Sequence, residues 1–166
     1  MAKILNDRQI GQKIRRLSIE IAEQNWEETE LVLIGINNNG LHFAQLLQDE
    51  LTSYLPEVQI SKVNLRMNPA NPIETPAYCE YPMDRLANKP IILVDDVANT
   101  GRTLFYAFRP LLDVMTKKIQ IAVLVDRKHK IYPVHVDYLG LSLATTFNEH
   151  IDVQLKTPGD RAVYLT

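Results

Sequence analysis

The chain contains one cysteine, Cys79, so it forms no internal disulfide and its composition suits a reducing compartment. No apolar run approaches the roughly 20 residues that a membrane-spanning helix needs. The opening MAKILNDRQI has no secretory hydrophobic region. A cytoplasmic protein without membrane attachment is therefore expected. Charge of one sign is also lacking: 18 Lys and Arg stand against 20 Asp and Glu, for a net charge of -2. The overall field gives no attraction for a polyanion. The four histidines, His42, His129, His135 and His150, form no paired metal-ligand spacing and read as surface or structural residues. Internal repeats, low-complexity tracts and linkers are absent too, which leaves one domain over 1–166.

What is present is an ordinary globular composition, 46% hydrophobic and 23% charged, long enough to bury a core. Asn6 or Asp7 can cap a helix whose apolar face is Ile10, Ile14, Leu17 and Ile21. LVLIGI (31–36) reads as a strand covered on both faces. The polar tract Asn37-Asn38-Asn39-Gly40 follows, and helical periodicity resumes over 41–53. VQISKVNL (58–65) predicts another strand. Residues 66–82 hold four of the nine prolines and read as a mobile functional loop or a hairpin-like excursion. IILV then leads to a helix from about Arg102, which Pro110 should kink or shorten. IQIAVLV (119–125) is a further buried strand, with shorter extended pieces at 134–139, 151–155 and 161–165. Alternating strands and helices predict a mostly parallel sheet flanked by helices. Ligands of such sheets bind at the carboxyl ends of the strands, here 37–40, 95–103 and 126–130.

The most informative stretch is IILVDDVANTGRT (91–103). A Walker loop is excluded, because Asp96 stands where its first glycine belongs and Arg102 replaces its lysine. Gly35 and Gly40 do not make a dinucleotide fingerprint either. A lone Asp-Asp pair would read as a capped turn with Asp96 solvated. The whole string supports more. Backbone N–H groups and the hydroxyls of Thr100 and Thr103 could surround a phosphate, helped by the helix dipole, and Gly101 lets the backbone come close. Asp95 and Asp96 repel phosphate yet are good acceptors for vicinal sugar hydroxyls. A sugar 5-phosphate satisfies both halves.

This string closely resembles the 5-phosphoribosyl 1-pyrophosphate (PRPP) signature of the type I phosphoribosyltransferases. IQIAVLVDRKH (119–129) and HVDYLGLSLATT narrow the resemblance to the pyrimidine operon attenuator / uracil phosphoribosyltransferase family. It implies an α/β fold with a mostly parallel five-stranded sheet, flanking helices and a small hood over the base. It also implies transfer of the phosphoribosyl group from PRPP to a pyrimidine base, with release of pyrophosphate. Mg²⁺ would act through PRPP, touching Asp95 and Asp96 only indirectly. By the same resemblance, Asp95 and Asp96 hold the ribose, and Val97, Ala98, Asn99, Thr100, Gly101, Arg102 and Thr103 hold the 5′-phosphate. Asn37, Asn38, Asn39 and Gly40 would face pyrophosphate, although the family carries basic residues there, in strings such as K-T-R-G. A tight turn is the alternative reading of that tract. Arg66 would close over pyrophosphate in the family pattern; as an exposed loop arginine it could equally be solubilising. Asp126 and Arg127 end a strand near the base, where Val125–Lys130 resembles VDRGHR with Lys128 in place of glycine, and Ala144–Thr146 falls in the hood region. The family forms dimers and higher assemblies and includes RNA-binding regulators. RNA would need Lys13, Arg15 and Arg16, Lys117 and Lys118, or Arg127, Lys128 and Lys130 as a basic face. The first helix carries no interleaved aromatics for stacking bases. A PRPP or nucleotide sensor without turnover is a third reading, prompted by the neutral tract at 37–39.

Overall fold

The computed structural model describes residues 1–166. The first helix, α1 (Asp7–Asn25), begins where the capping residues predict. The Asn6 side chain accepts from Gln9 N at 2.9 Å, and the Gln9 side chain accepts from Asn6 N at 2.9 Å. This reciprocal pair satisfies two N–H groups at the helix start.

Three parallel strands follow from the long aliphatic runs: β2 (Glu30–Ile36), β5 (Pro90–Ala98) and β6 (Lys118–Asp126). With β3 (Gln59–Arg66) and β7 (Tyr138–Ser142) they form a parallel five-stranded sheet in the order β3-β2-β5-β6-β7. A two-residue strand, β4 (Tyr78–Cys79), adds antiparallel to β3 at its edge. The proline-containing 66–82 segment is thus a hairpin-like excursion that returns to the sheet.

Period-2 alternation assigns each strand residue to a face. Leu31, Leu33, Ile92 and Val94 pack with α1 and with α2 (Asn37–Tyr54) through Ile10, Leu17, Phe43 and Leu47. Val32, Ile34, Ile91 and Leu93 face the opposite side, with Leu104 and Leu111. Burying each such side chain contributes about 1.5–3 kcal/mol. The helix expected from Arg102 is α3 (Arg102–Ala107), which tightens into a 3-10 turn over Arg109–Asp113. Pro110 lies in that turn and ends the α-helical pattern, because it has no N–H to donate.

The hood is a separate antiparallel sheet of β1 (Ala2–Leu5), β8 (Ile151–Gln154) and β9 (Ala162–Leu165), in the order β1-β9-β8. Its β1 strand was not anticipated. The expected strand at 134–139 instead starts at Tyr138, after a turn-containing segment.

Chain order places the site. From β2 the sheet grows one way to β3, and from β5 it grows the other way to β6 and β7. Connections therefore diverge between β2 and β5 and leave a crevice at their carboxyl ends.

Candidate active site

Both arms of that crevice carry residues singled out by sequence. Asn37–Asn39 follow β2 directly and form the first turn of α2, rather than a loop ahead of it. Asn37 takes a left-handed backbone, φ 52°, which asparagine tolerates better than most side chains. Its Oδ1 accepts Met67 N at 3.0 Å, and its carbonyl accepts Asn64 Nδ2 at 3.0 Å. Asn64 Nδ2 also reaches Gly35 O at 3.1 Å, so β3 clamps the β2–α2 turn in place. Gly40 is needed because a Cβ there would lie 2.6 Å from Val94 O of β5.

Across the crevice, β5 ends in Asp95 and Asp96. Asp95 is 7% exposed. Burial, and then the neighbouring Asp96 charge, push its carboxyl well above the usual carboxylate range. Asp95 Oδ1 accepts Asp96 N at 2.9 Å, and Asp96 Oδ1 accepts Val97 N at 2.9 Å. Asn39 Nδ2 donates to Asp96 Oδ2 at 2.9 Å and bridges the crevice. Asn37–Asn39, Pro69, Asp95–Val97 and Thr103 line a cleft of about 390 Å³.

Next to it, residues 97–104 enclose a smaller cavity of about 150 Å³. Gly101, φ 84°, turns the chain there, and a Cβ at this position would meet Val134 Cγ2 at 2.4 Å. The helix behind the loop, α3, spans only six residues, so its dipole is small and the loop's N–H groups and hydroxyls must carry the cradle. The segment after β6 braces that loop from outside. Ile131 N and Tyr132 N donate to Thr100 O at 3.0 and 3.2 Å. Lys130 Nζ pairs with Asp126 and also reaches Asn99 O at 3.2 Å.

The other sequence candidates fall differently. Arg66 pairs with Glu80 at 3.4 Å, across the base of the 66–82 excursion, and does not line the cleft. Pro69 lines it instead, and its carbonyl accepts Arg102 Nη2 at 2.8 Å. Asp126 is occupied by Lys130. Arg127 is buried and spends its donors on Thr145 Oγ1 at 2.8 Å and Thr146 O at 3.0 Å. The segment Ala144–Thr146 lies ahead of β8 rather than within the hood sheet. Most of the basic residues considered for RNA are engaged as well. Arg16 donates to Leu139 O and Gly140 O, Lys117 to Glu28, and Lys118 to Gln24 O. A larger groove of about 610 Å³ lies away from the strand ends; Arg8, Arg15 and Arg161 line it together with Asp49 and Glu50. No group of three or more His, Cys, Asp or Glu is placed to hold a metal ion.

The model of the phosphoribosyl transferase domain matches residues 1–157 of the chain. The chain belongs to the phosphoribosyltransferase family. Among curated relatives, the bifunctional protein PyrR of Bacillus cereus (strain AH820) is 34% identical over 164 residues, covering 93% of this chain and 91% of that protein. PyrR of Bacillus anthracis (strain CDC 684 / NRRL 3495) matches over the same shares with the same identity. Solved structures agree on the fold. The hypoxanthine phosphoribosyltransferase of Trypanosoma cruzi superposes with TM-score 0.79 at 16% identity, covering 98% of this chain and 95% of that one. A hypoxanthine-guanine phosphoribosyltransferase of Bacillus anthracis gives 0.77 at 18% identity, covering 99% and 98%. At these identities the likeness concerns the type I phosphoribosyltransferase fold alone. Sequence reasoning missed Asn64 and Pro69, and took Lys130 only as part of the 126–130 strand end and a basic face, not as a brace for the loop. Only Asn64 left a trace, as an amide at the buried end of an otherwise apolar strand.

Proposed function

We propose that this phosphoribosyltransferase transfers the 5-phosphoribosyl group of PRPP to a pyrimidine base, uracil first, and releases pyrophosphate. The observation that carries the reading is the continuity at the end of β5: two carboxylates run without a break into a phosphate-sized loop cavity. Asp95 and Asp96 accept the ribose hydroxyls, and Asp96 lends negative potential to the oxocarbenium-like sugar as pyrophosphate departs. Val97 to Thr103 hold the 5′-phosphate through backbone N–H groups, Thr100 and Thr103. Asn37 to Gly40 form the pyrophosphate side. Arg66 ends β3 one residue before Met67, which donates to Asn37, and would reach pyrophosphate from there by leaving Glu80. Asp126 and Arg127 shape the wall near the base, with Arg127 fixing Thr145 and Thr146. Mg²⁺ bound with PRPP would neutralise pyrophosphate as it leaves. Without an all-protein cage, the metal fits as an ion carried by the substrate phosphates, close to Asp95 and Asp96.

The pyrimidine preference rests on the resemblance of 119–129 and 135–146 to the pyrimidine branch and on the curated relatives. The chain acts as one domain over 1–166, in the cytoplasm, as a homodimer or higher assembly. No helix is long and apolar enough to cross a membrane. Exposed Leu112 and Met115 offer apolar surface for self-association. RNA binding is the weaker reading, since Lys117 and Lys130 are ion-paired with Glu28 and Asp126, Arg16 lies beside Glu20, and the net charge is -2.

Incubation with Mg²⁺, PRPP and a panel of uracil, hypoxanthine, guanine and orotate tests the proposal. Uridine monophosphate (UMP) and pyrophosphate should form together with uracil, and Asp96→Asn should abolish both while the protein stays folded. Failure to form nucleotide from any base would overturn it.

A further inference from the structure

The two polar atoms of the Asn64 side chain, near the end of β3, have opposite fates. Its Oδ1 is buried and accepts from nothing. Its Nδ2 donates twice, to Gly35 O at 3.1 Å and to Asn37 O at 3.0 Å. A hydrocarbon side chain would spare the strand that unpaired oxygen, so the two donated bonds are what an amide contributes at this position.

Both bonds act on the turn between β2 and α2, and a third joins them. Asn37 Oδ1 accepts Met67 N at 3.0 Å, so the carbonyl and the side chain of Asn37 are both held from the β3 side. Its φ of 52° is a conformation that persists only when its surroundings hold it. The C=O and N–H of a planar trans peptide point in opposite directions. With Asn37 O turned to β3, the N–H of Asn38 turns away from it. In the sheet β2 has β3 on one side and β5 on the other, and the cleft lined by Asn37–Asn39 and Asp95–Val97 opens on the β5 side. Asn38 also lies in the first turn of α2, where N–H groups have no partner inside the helix.

We infer that Asn64 is a positioning residue for phosphoribosyl transfer: by holding Asn37 O it aims the Asn38 N–H into the cleft as a donor to the pyrophosphate of PRPP. This rests on residues 37–40 forming the pyrophosphate side. Asn64 itself touches no substrate. The donor it sets is backbone, fixed before the substrate arrives, and it serves pyrophosphate alone, because the 5′-phosphate sits in the separate 97–104 cavity.

Titration calorimetry in Mg²⁺ with PRPP, pyrophosphate and ribose 5-phosphate tests this on the wild type, Asn64→Leu and Asn64→Thr. Leucine is close in size and donates nothing, whereas threonine suits a strand and keeps one hydroxyl donor. Asn64→Leu should lose about tenfold or more in affinity for PRPP and for pyrophosphate, and keep its affinity for ribose 5-phosphate within about twofold. Asn64→Thr should recover part of the loss. In amide NMR, the Asn38 signal of the wild type should shift on addition of pyrophosphate, and much less in Asn64→Leu. Unchanged PRPP affinity in Asn64→Leu overturns the inference. So do equal losses for PRPP and ribose 5-phosphate, which a purely structural role would give. Either result leaves the phosphoribosyl reading in place. Should Asn64→Leu fail to fold, the same comparison in Asn64→Thr decides. A wild type that binds ribose 5-phosphate as tightly as PRPP, and pyrophosphate not at all, overturns the pyrophosphate role of 37–40 and the inference with it.

Discussion

Gly101→Ala is the sharpest test of how the phosphate loop is built, because two separable costs meet at one atom. Gly101 has φ 84°, a region in which a side chain costs about 1–2 kcal/mol. The added Cβ would also stand 2.4 Å from Val134 Cγ2, far inside ordinary contact at about 3.5–4.0 Å, and 3.2 Å from Lys130 Cδ. Overpacking of that kind costs about 1–3 kcal/mol. The single variant should therefore lose about 2–5 kcal/mol. Val134→Ala removes the clashing methyl and leaves the backbone cost alone. In the double variant the Val134 clash should vanish, leaving only the tight approach to Lys130 Cδ, with a favourable coupling of about 1–3 kcal/mol between the two substitutions. Urea unfolding followed by far-UV circular dichroism measures all four corners of the cycle. Calorimetry with ribose 5-phosphate should show affinity lost in Gly101→Ala and partly recovered in the double variant. Additivity within about 0.5 kcal/mol would mean the 130–134 brace does not press on the loop.

Lys128 has φ 57°, and its side chain is exposed. Lys128→Gly should therefore gain about 0.5–1 kcal/mol, the relieved strain less the entropy of a freer unfolded chain, and Lys128→Ala should not. Thermal unfolding should rise by about 1–4 °C in the glycine variant only. Asp95 has its folded pKa raised by burial and by Asp96, so its protonated form favours the fold. Wild-type stability should fall as pH rises from the ordinary carboxylate range through that raised value, whereas Asp95→Asn stays flat. The variant should be the more stable at neutral pH and the poorer binder of sugar phosphate; matching pH profiles would refute the assignment. Asp7 is the opposite case, its pKa held below the ordinary value chiefly by the hydrogen bond from Arg161. That contribution is present above the ordinary range and lost on acidification, so Arg161→Ala should weaken the acid-dependent part of the unfolding profile.

Much of the parallel sheet could be read from the sequence, because LVLIGI, IILV and IQIAVLV are long, doubly covered runs whose covering helices carry their own periodicity. The hood was harder to see. Its strands are four residues each, and β1 pairs with β9 from the far end of the chain, so no local pattern marks AKIL as a strand. The crevice followed from strand order, and its acidic arm from chemistry already visible in VDDVANTGRT. The residues that hold it rigid were not visible. Asn64 reaches back 27 positions to Asn37, and Lys130 reaches 31 positions to Asn99. Contacts of that span arise from the fold and leave no spacing in the chain.

The neutral tract shows how one residue can satisfy the structure and set the chemistry. Adjacent carboxylates at a strand end need a donor or a proton, or they repel. Here both remedies operate, since Asp95 is driven toward its protonated form and Asp96 receives the amide of Asn39. The pair is therefore stable as it stands and does not depend on a cationic neighbour. A guanidinium at position 39 would satisfy Asp96 equally well and would add a charge for a second anion to meet. The amide keeps the first function and drops the second.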